Sequence, residues 1–196
     1  FTRNAPEQYE QYKEKLVAGE AKINASAIYP YDIVNAVQYG DPVVASEQWK
    51  ALPDFMEGSD ERILPVVDVS GSMTCRAGGS NSKSVISCLD VAVSLGLYIS
   101  ERSAGGFKDV FMTFSETPQL CQVSGDLQHK VLQMKRADWG INTNVQAVFD
   151  TLLGVAKQYQ IPEHEMPTKL LFISDMQFDS CIRDGNNVTC YQYAEK

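Results

Sequence analysis

Apolar positions along this chain recur at two different periods, and the change from one to the other divides it. Over 5–18 (APEQYEQYKEKLVA) Tyr9, Tyr12 and Leu16 return at helical spacing, and Gly19 stands where such a helix would end. The same reasoning predicts a short helix from Pro30 through Val37 and another around Val43 to Leu52. Residues 1–52 therefore read as a helical segment, the tail of a helical region lying upstream. The stretch PDFMEGSDE at 53–61, rich in acids and turn formers, reads as a linker to a domain over 62–196.

From Arg62 strands and helices alternate. RILPVVDV is a short β-branched run of the kind buried in a parallel sheet, with Pro65 expected as the first residue of the strand because proline cannot donate to a central ladder. SKSVISCLDVAVSLGLYISERS reads as one long helix. DVFMTF and QLCQV read as two strands joined by a turn at Glu116 to Pro118. DLQHKVLQMKRA and NVQAVFDTLLGVAKQYQ are amphipathic helices, and KLLFIS is a further buried strand that runs into Asp175. This order predicts an α/β fold: an open, mostly parallel, Rossmann-like sheet with helices on both faces. Met112, Met134, Phe111, Phe114, Phe149 and Phe172 fall at strand or helix spacing and are expected in the core.

Composition narrows the function. The net charge is −8, with −5 over 1–62 and −3 over 63–196, and neither part has a basic stripe, which argues against a general polyanion-binding surface. No run approaches the roughly 18 consecutive apolar residues of a membrane span, and no signal segment opens the chain, so no membrane partner is expected. Starting at Phe1 and stopping at Lys196, the chain reads as a piece of a longer polypeptide. Cys75, Cys88, Cys121, Cys181 and Cys190 are unevenly spaced with no Cys-x-x-Cys pair, which favours buried free thiols in a reducing, cytoplasmic setting. Cys181 and Cys190 bracket IRDGNNVT and could close a small disulfide loop. Two N-x-S/T triplets, at Asn24 and Asn187, matter only in a secreted protein.

Chemistry collects where strands end. Asp68 follows ILPVV and Asp175 follows KLLFIS; parallel strands put both ends on one edge, where ligands of open α/β sheets gather. Ser70 and Ser72 lie just past Asp68, and Thr143 in GINTN precedes a helix. Either aspartate alone would read as a helix cap. Five oxygen donors, Asp68, Ser70, Ser72, Thr143 and Asp175, on one edge instead suggest a hard cation, Mg²⁺ first, with Mn²⁺ or Ca²⁺ as alternatives. Neutral hydroxyls would leave that cation electrophilic towards an outside carboxylate or phosphate. The two histidines are not placed to join this set. VSGSM lacks the glycines of a G-x-S-x-G elbow, AGGSNSKS lacks the G-x-x-x-x-G-K-[ST] pattern of a phosphate loop, and Ser70 stands where an aspartyl phosphotransferase would carry its second acid.

DVSGSM, the threonine of GINTN and the aspartate of FISDM together resemble the metal-ion-dependent adhesion site of von Willebrand factor A domains, in order and spacing, over residues 62 to 179. The resemblance implies that Ser70, Ser72 and Thr143 ligate Mg²⁺ directly while Asp68 and Asp175 act mainly through water. A partner protein's exposed Asp or Glu then completes the shell. It implies a binding module, not an enzyme. Trp139, just before GINTN, reads equally as a residue at the rim of the site or as simple packing. The resemblance also implies further helices and strands beyond Asp175, for which only residues 176–196 remain, so the end of the sheet is expected to be incomplete. The helical lead-in followed by VVDVSGSM is similar to the Ro/TROVE-type arrangement, closest to an uncharacterised branch of it. That likeness implies, as the second reading, a structured-RNA partner held mainly by an upstream helical region.

Overall fold

Three helices open the chain and each has a proline in its first turn, where the missing N–H costs nothing: α1 Pro6–Val17, α2 Pro30–Tyr39 and α3 Pro42–Lys50. The computed structural model describes residues 5–78, 86–137 and 143–175. Within them the later elements are β1 Ile63–Asp68, α4 Cys88–Arg102, β2 Val110–Phe114, β3 Leu120–Gln122, α5 Leu127–Lys135, α6 Val145–Tyr159 and β4 Lys169–Ile173. The fold is mixed α/β. Its four described strands form one mostly parallel sheet in the order β3-β2-β1-β4, with β1 parallel to both neighbours and β3 antiparallel to β2.

Side chains alternate across β1 and give the sheet two cores. Leu64 and Val66 pack with Met112, Phe114, Val148 and Leu152, so α6 covers that face. Val67 and Val69 pack with Val93 and Leu97 of α4 and Val131 and Met134 of α5 on the other. The contact between α4 and β1 is close enough to require a glycine. A Cβ on Gly96 would stand 2.6 Å from Val67 Cγ2.

The opening helices share the second of these cores. Ile33, Val34, Val37, Ala45, Trp49 and Leu52 are buried in the same cluster as Val93, Leu97 and Met134. Residues 53–61 are a run of turns without helix or strand, yet they are fastened to α4: Tyr98 Oη donates to the Pro53 carbonyl at 2.6 Å and accepts from the Phe55 N–H at 3.0 Å. Trp49 Nε1 donates to Glu101 Oε2 at 2.6 Å, and the Arg102 guanidinium lies 3.9 Å from the centre of the Tyr98 ring.

Three expectations are corrected. Pro65 is the third residue of a central strand, not its first. Main-chain groups alternate between neighbours along a strand, and the Arg62 carbonyl accepts from Thr168 and Lys169 on the β4 side. Pro65 therefore faces β2, where pairing begins only at Val66 with Met112, so the donor it lacks falls at the start of that ladder. Next, α4 starts at Cys88. Ser87 and Asp90 form a capping box that ends the helix there, and Ser87 is extended, bridged to Arg76. Phe149 is half-buried, whereas Met112, Met134, Phe111 and Phe114 are fully enclosed and Phe172 packs against the core, edge-on to Phe114. Residues 79–84 of the Gly/Ser patch lie outside the described residues.

Candidate functional site

The turn that follows β1 is built by its own side chains. Asp68 Oδ1 accepts the Ser70 N–H at 2.9 Å, an Asx-type turn that swings the chain off the strand axis. A 3₁₀ turn, Gly71–Thr74, follows and is held by Met73 N–H to the Ser70 carbonyl at 3.1 Å and Thr74 Oγ1 to the Gly71 carbonyl at 2.7 Å. Met73 is buried and anchors the turn in the core. With both ends of the turn fixed, Ser70 Oγ and Ser72 Oγ come to 2.9 Å from each other. Ser70 is buried and Ser72 is exposed, so the pair leads from the interior to solvent.

The second strand end lies beside the first. Val67 pairs with Ile173, which brings Ser174 level with Asp68, and Ser174 Oγ donates to Asp68 Oδ2 at 2.6 Å. Asp175 follows, half-buried. Between β2 and β4 the chain crosses from one side of β1 to the other, so the ends of β1 and β4 flank the topological switch point of the sheet, where open α/β sheets bind ligands. Thr143 is buried and immediately precedes Asn144, whose side chain caps α6 by accepting the Ala147 N–H at 3.1 Å. Because α6 leads to the amino end of β4, its own N-terminus points to the carboxyl edge of the sheet. Asp68, Ser70 and Ser72 are therefore in a direct chain of contact, and Thr143 and Asp175 stand at the same edge.

Asp68 is the electrostatic centre of the arrangement. Its exposure is 0%, and the groups that contact it are the neutral Ser70 N–H and Ser174 hydroxyl. No ion pair among the described residues includes it. Among the described residues no group of three or more His, Cys, Asp or Glu is arranged to hold a metal. The histidines are elsewhere: His129 pairs with Asp126 at 2.8 Å on the exposed side of α5, and His164 is in the exposed turn before β4.

Sequence reasoning missed Ser174 and Ser115. Ser174 sits one residue before a predicted ligand and needed the strand register to show that it touches Asp68. Ser115 is buried just past Phe114, the β2 residue paired with Asp68. The cysteines also differ from expectation, because Cys75 is exposed and Cys88 and Cys121 are half-buried. The Cys75 thiol donates to Cys88 Sγ at 3.4 Å beside this edge. Burial pushes the Cys88 thiol up to about 11, and the Cys75 hydrogen bond and the negative Asp175 add to the rise. Asn24 is exposed and accepts from Ser26; Trp139, Cys181, Asn187 and Cys190 lie outside the described residues.

Residues 62–196 match a family model described as a domain of unknown function, DUF7788. The chain is also similar to the uncharacterized protein L728 of Acanthamoeba polyphaga mimivirus, with 31% identity over 202 residues that cover 100% of this chain and 33% of that protein. It thus spans about a third of the length of the curated relative it matches. No solved structure matches it. No helix among the described residues is long and apolar enough to cross a membrane.

Proposed function

The chain belongs to the DUF7788 family, and we propose that it is a Mg²⁺-dependent protein-binding module of the von Willebrand factor A type, which captures an acidic side chain of a partner. The observation that carries this reading is Asp68, a fully buried carboxyl at the switch point of the sheet whose described contacts are all neutral. The hydroxyl pair Ser70 and Ser72, 2.9 Å apart and leading outward, fits a hard cation on the solvent side of that carboxyl.

In this reading Ser70, Ser72 and Thr143 are the direct ligands, and Asp68 and Asp175 hold the outer shell through water. Ser174 orients Asp68. A Mg²⁺ ion bound here would supply an electrophilic position for an oxygen ligand from outside the protein, because hydroxyl donors leave its charge uncancelled.

The test is a Mn²⁺ titration followed by calorimetry, with the wild type set against a Ser70→Ala/Ser72→Ala double variant of confirmed fold. Saturable binding by the wild type that is lost in the variant is the expected result. Equal binding by both proteins, or none by the folded wild type at millimolar metal, overturns the assignment.

A further inference from the structure

We propose that Cys75 and Cys88 are a redox-active dithiol, which a small-molecule disulfide converts to an intramolecular disulfide on the segment leaving the Asp68 strand end. The two sulfurs are 3.4 Å apart. Their backbones are held in register as well. Arg76 bridges Ser87 in antiparallel fashion, the Ala77 N–H donates to the Ile86 carbonyl at 2.9 Å, and the Cys88 N–H donates to the Cys75 carbonyl at 2.9 Å. Counting outward from the Arg76 bridge, Cys75 and Cys88 are directly opposed. Opposed residues of a hydrogen-bonded antiparallel pair have Cα atoms about 5.5 Å apart, and disulfides span Cα separations of about 4.4–6.8 Å. Cys75 and Cys88 share one such bond, the Cys75 N–H going instead to the Ser72 carbonyl, and the opposed register with sulfurs 3.4 Å apart suits that span.

Exposure sets the order of events. Cys75 is open to solvent and Cys88 is half-buried behind it. The Cys75 thiolate attacks one sulfur of the small disulfide, forming a mixed disulfide and releasing one thiolate, which takes up the proton that Cys75 lost. The Cys88 thiolate then attacks the Cys75 sulfur, forms the internal bond and releases the second thiol in the same way. The two cysteines are oxidised by two electrons, and the small disulfide is reduced to two thiols. The product would tie the chain three residues beyond Ser72 to the first residue of α4, fixing one border of the hydroxyl turn. The inference does not depend on metal binding.

The experiment equilibrates the 196-residue chain in glutathione buffers of graded oxidation, traps free thiols by alkylation and maps the peptides by mass spectrometry. The expected result is a Cys75–Cys88 cross-link that grows with the oxidised fraction, and in Cys88→Ser, glutathione retained on Cys75. The inference is overturned if both cysteines remain alkylatable at every ratio, or if Cys75 pairs instead with Cys121, Cys181 or Cys190. The readout is a covalent map taken without metal, so either outcome leaves the cation assignment standing on its own test.

Discussion

Asp68 is buried with a neutral donor on each oxygen, and that makes the proposed cation testable at this residue. Its two oxygens accept from Ser70 and Ser174, and an asparagine could keep the first contact through its carbonyl and offer its amide to the Ser174 oxygen. In EDTA, then, Asp68→Asn should unfold at the wild-type denaturant concentration or above it. Saturating Mg²⁺ should separate the two, because a ligand at a hundred times its dissociation constant adds about 2.7 kcal/mol to the form that binds it. Urea unfolding with and without Mg²⁺ reads both effects, and an Asp68→Asn protein that gains as much from Mg²⁺ as the wild type would remove Asp68 from the site. The motif itself was legible: D-x-S-x-S after an apolar run contained Asp68, Ser70 and Ser72, and the structure joins those three directly. What stayed hidden were contacts that depend on strand register. Ser174 touches Asp68 from 106 residues away, and Cys75 meets Cys88 across a bridge that no spacing rule describes.

At the scale of elements, α4 holds the most information about how sequence sets structure. Its apolar positions continue backwards through Ile86, so periodicity alone carried the helix too far. The capping box decides the start, and Asp90 is its pivot, accepting from the Ser87 N–H and hydroxyl and from Lys135 Nζ at 2.6 Å. Burial works against ionisation of Asp90, but the Lys135 and Ser87 donors prevail and hold its carboxyl below the ordinary value of 3.8. A lowered folded value means that ionised Asp90 adds stability above the unfolded carboxylate range, near pH 4, and that this is lost as pH falls through the folded value. The stability gap between wild type and Asp90→Asn should thus be full at neutral pH and narrow on acidification below about pH 4. A gap independent of pH would mean that the Lys135 pair contributes nothing.

The middle of that helix tests packing. A side chain on Gly96 meets Val67 and Met134, both enclosed, so neither can move into solvent. Gly96→Val should cost about 1–3 kcal/mol as over-packing, more than any gain in helix propensity returns. Chemical denaturation would show it, and an unchanged midpoint would mean that α4 is free to lift from β1. Most elements were legible from periodicity and turn residues, including the β2–β3 hairpin and the three proline-led helices. Pro65 was misplaced because its tolerance depends on which neighbour the strand faces, and a neighbour is not visible in a linear pattern.

For the whole molecule, the segment matched by the family and the unit that buries a core do not begin at the same residue. The match starts at Arg62. The core reaches back to Ala25, and Ile33, Val34 and Val37 are buried in one cluster with Val93 and Leu97 of α4. Cutting at Arg62 would uncover that face of α4 and its neighbours on α5, and each large aliphatic side chain returned to water costs about 1.5–3 kcal/mol. Several such losses equal the net stability of about 5–15 kcal/mol that an ordinary domain has. The fragment 62–196 should therefore bind a hydrophobic dye and unfold without a cooperative transition, while residues 1–196 unfold in a single one. The anchors around Tyr98 sharpen the test: Tyr98→Phe frees Pro53 and Phe55 but leaves the apolar contact, so it should shift the midpoint of the intact chain without splitting its transition. A fragment that melted cooperatively at the midpoint of the intact chain would instead make α1–α3 a separate layer resting on a finished domain.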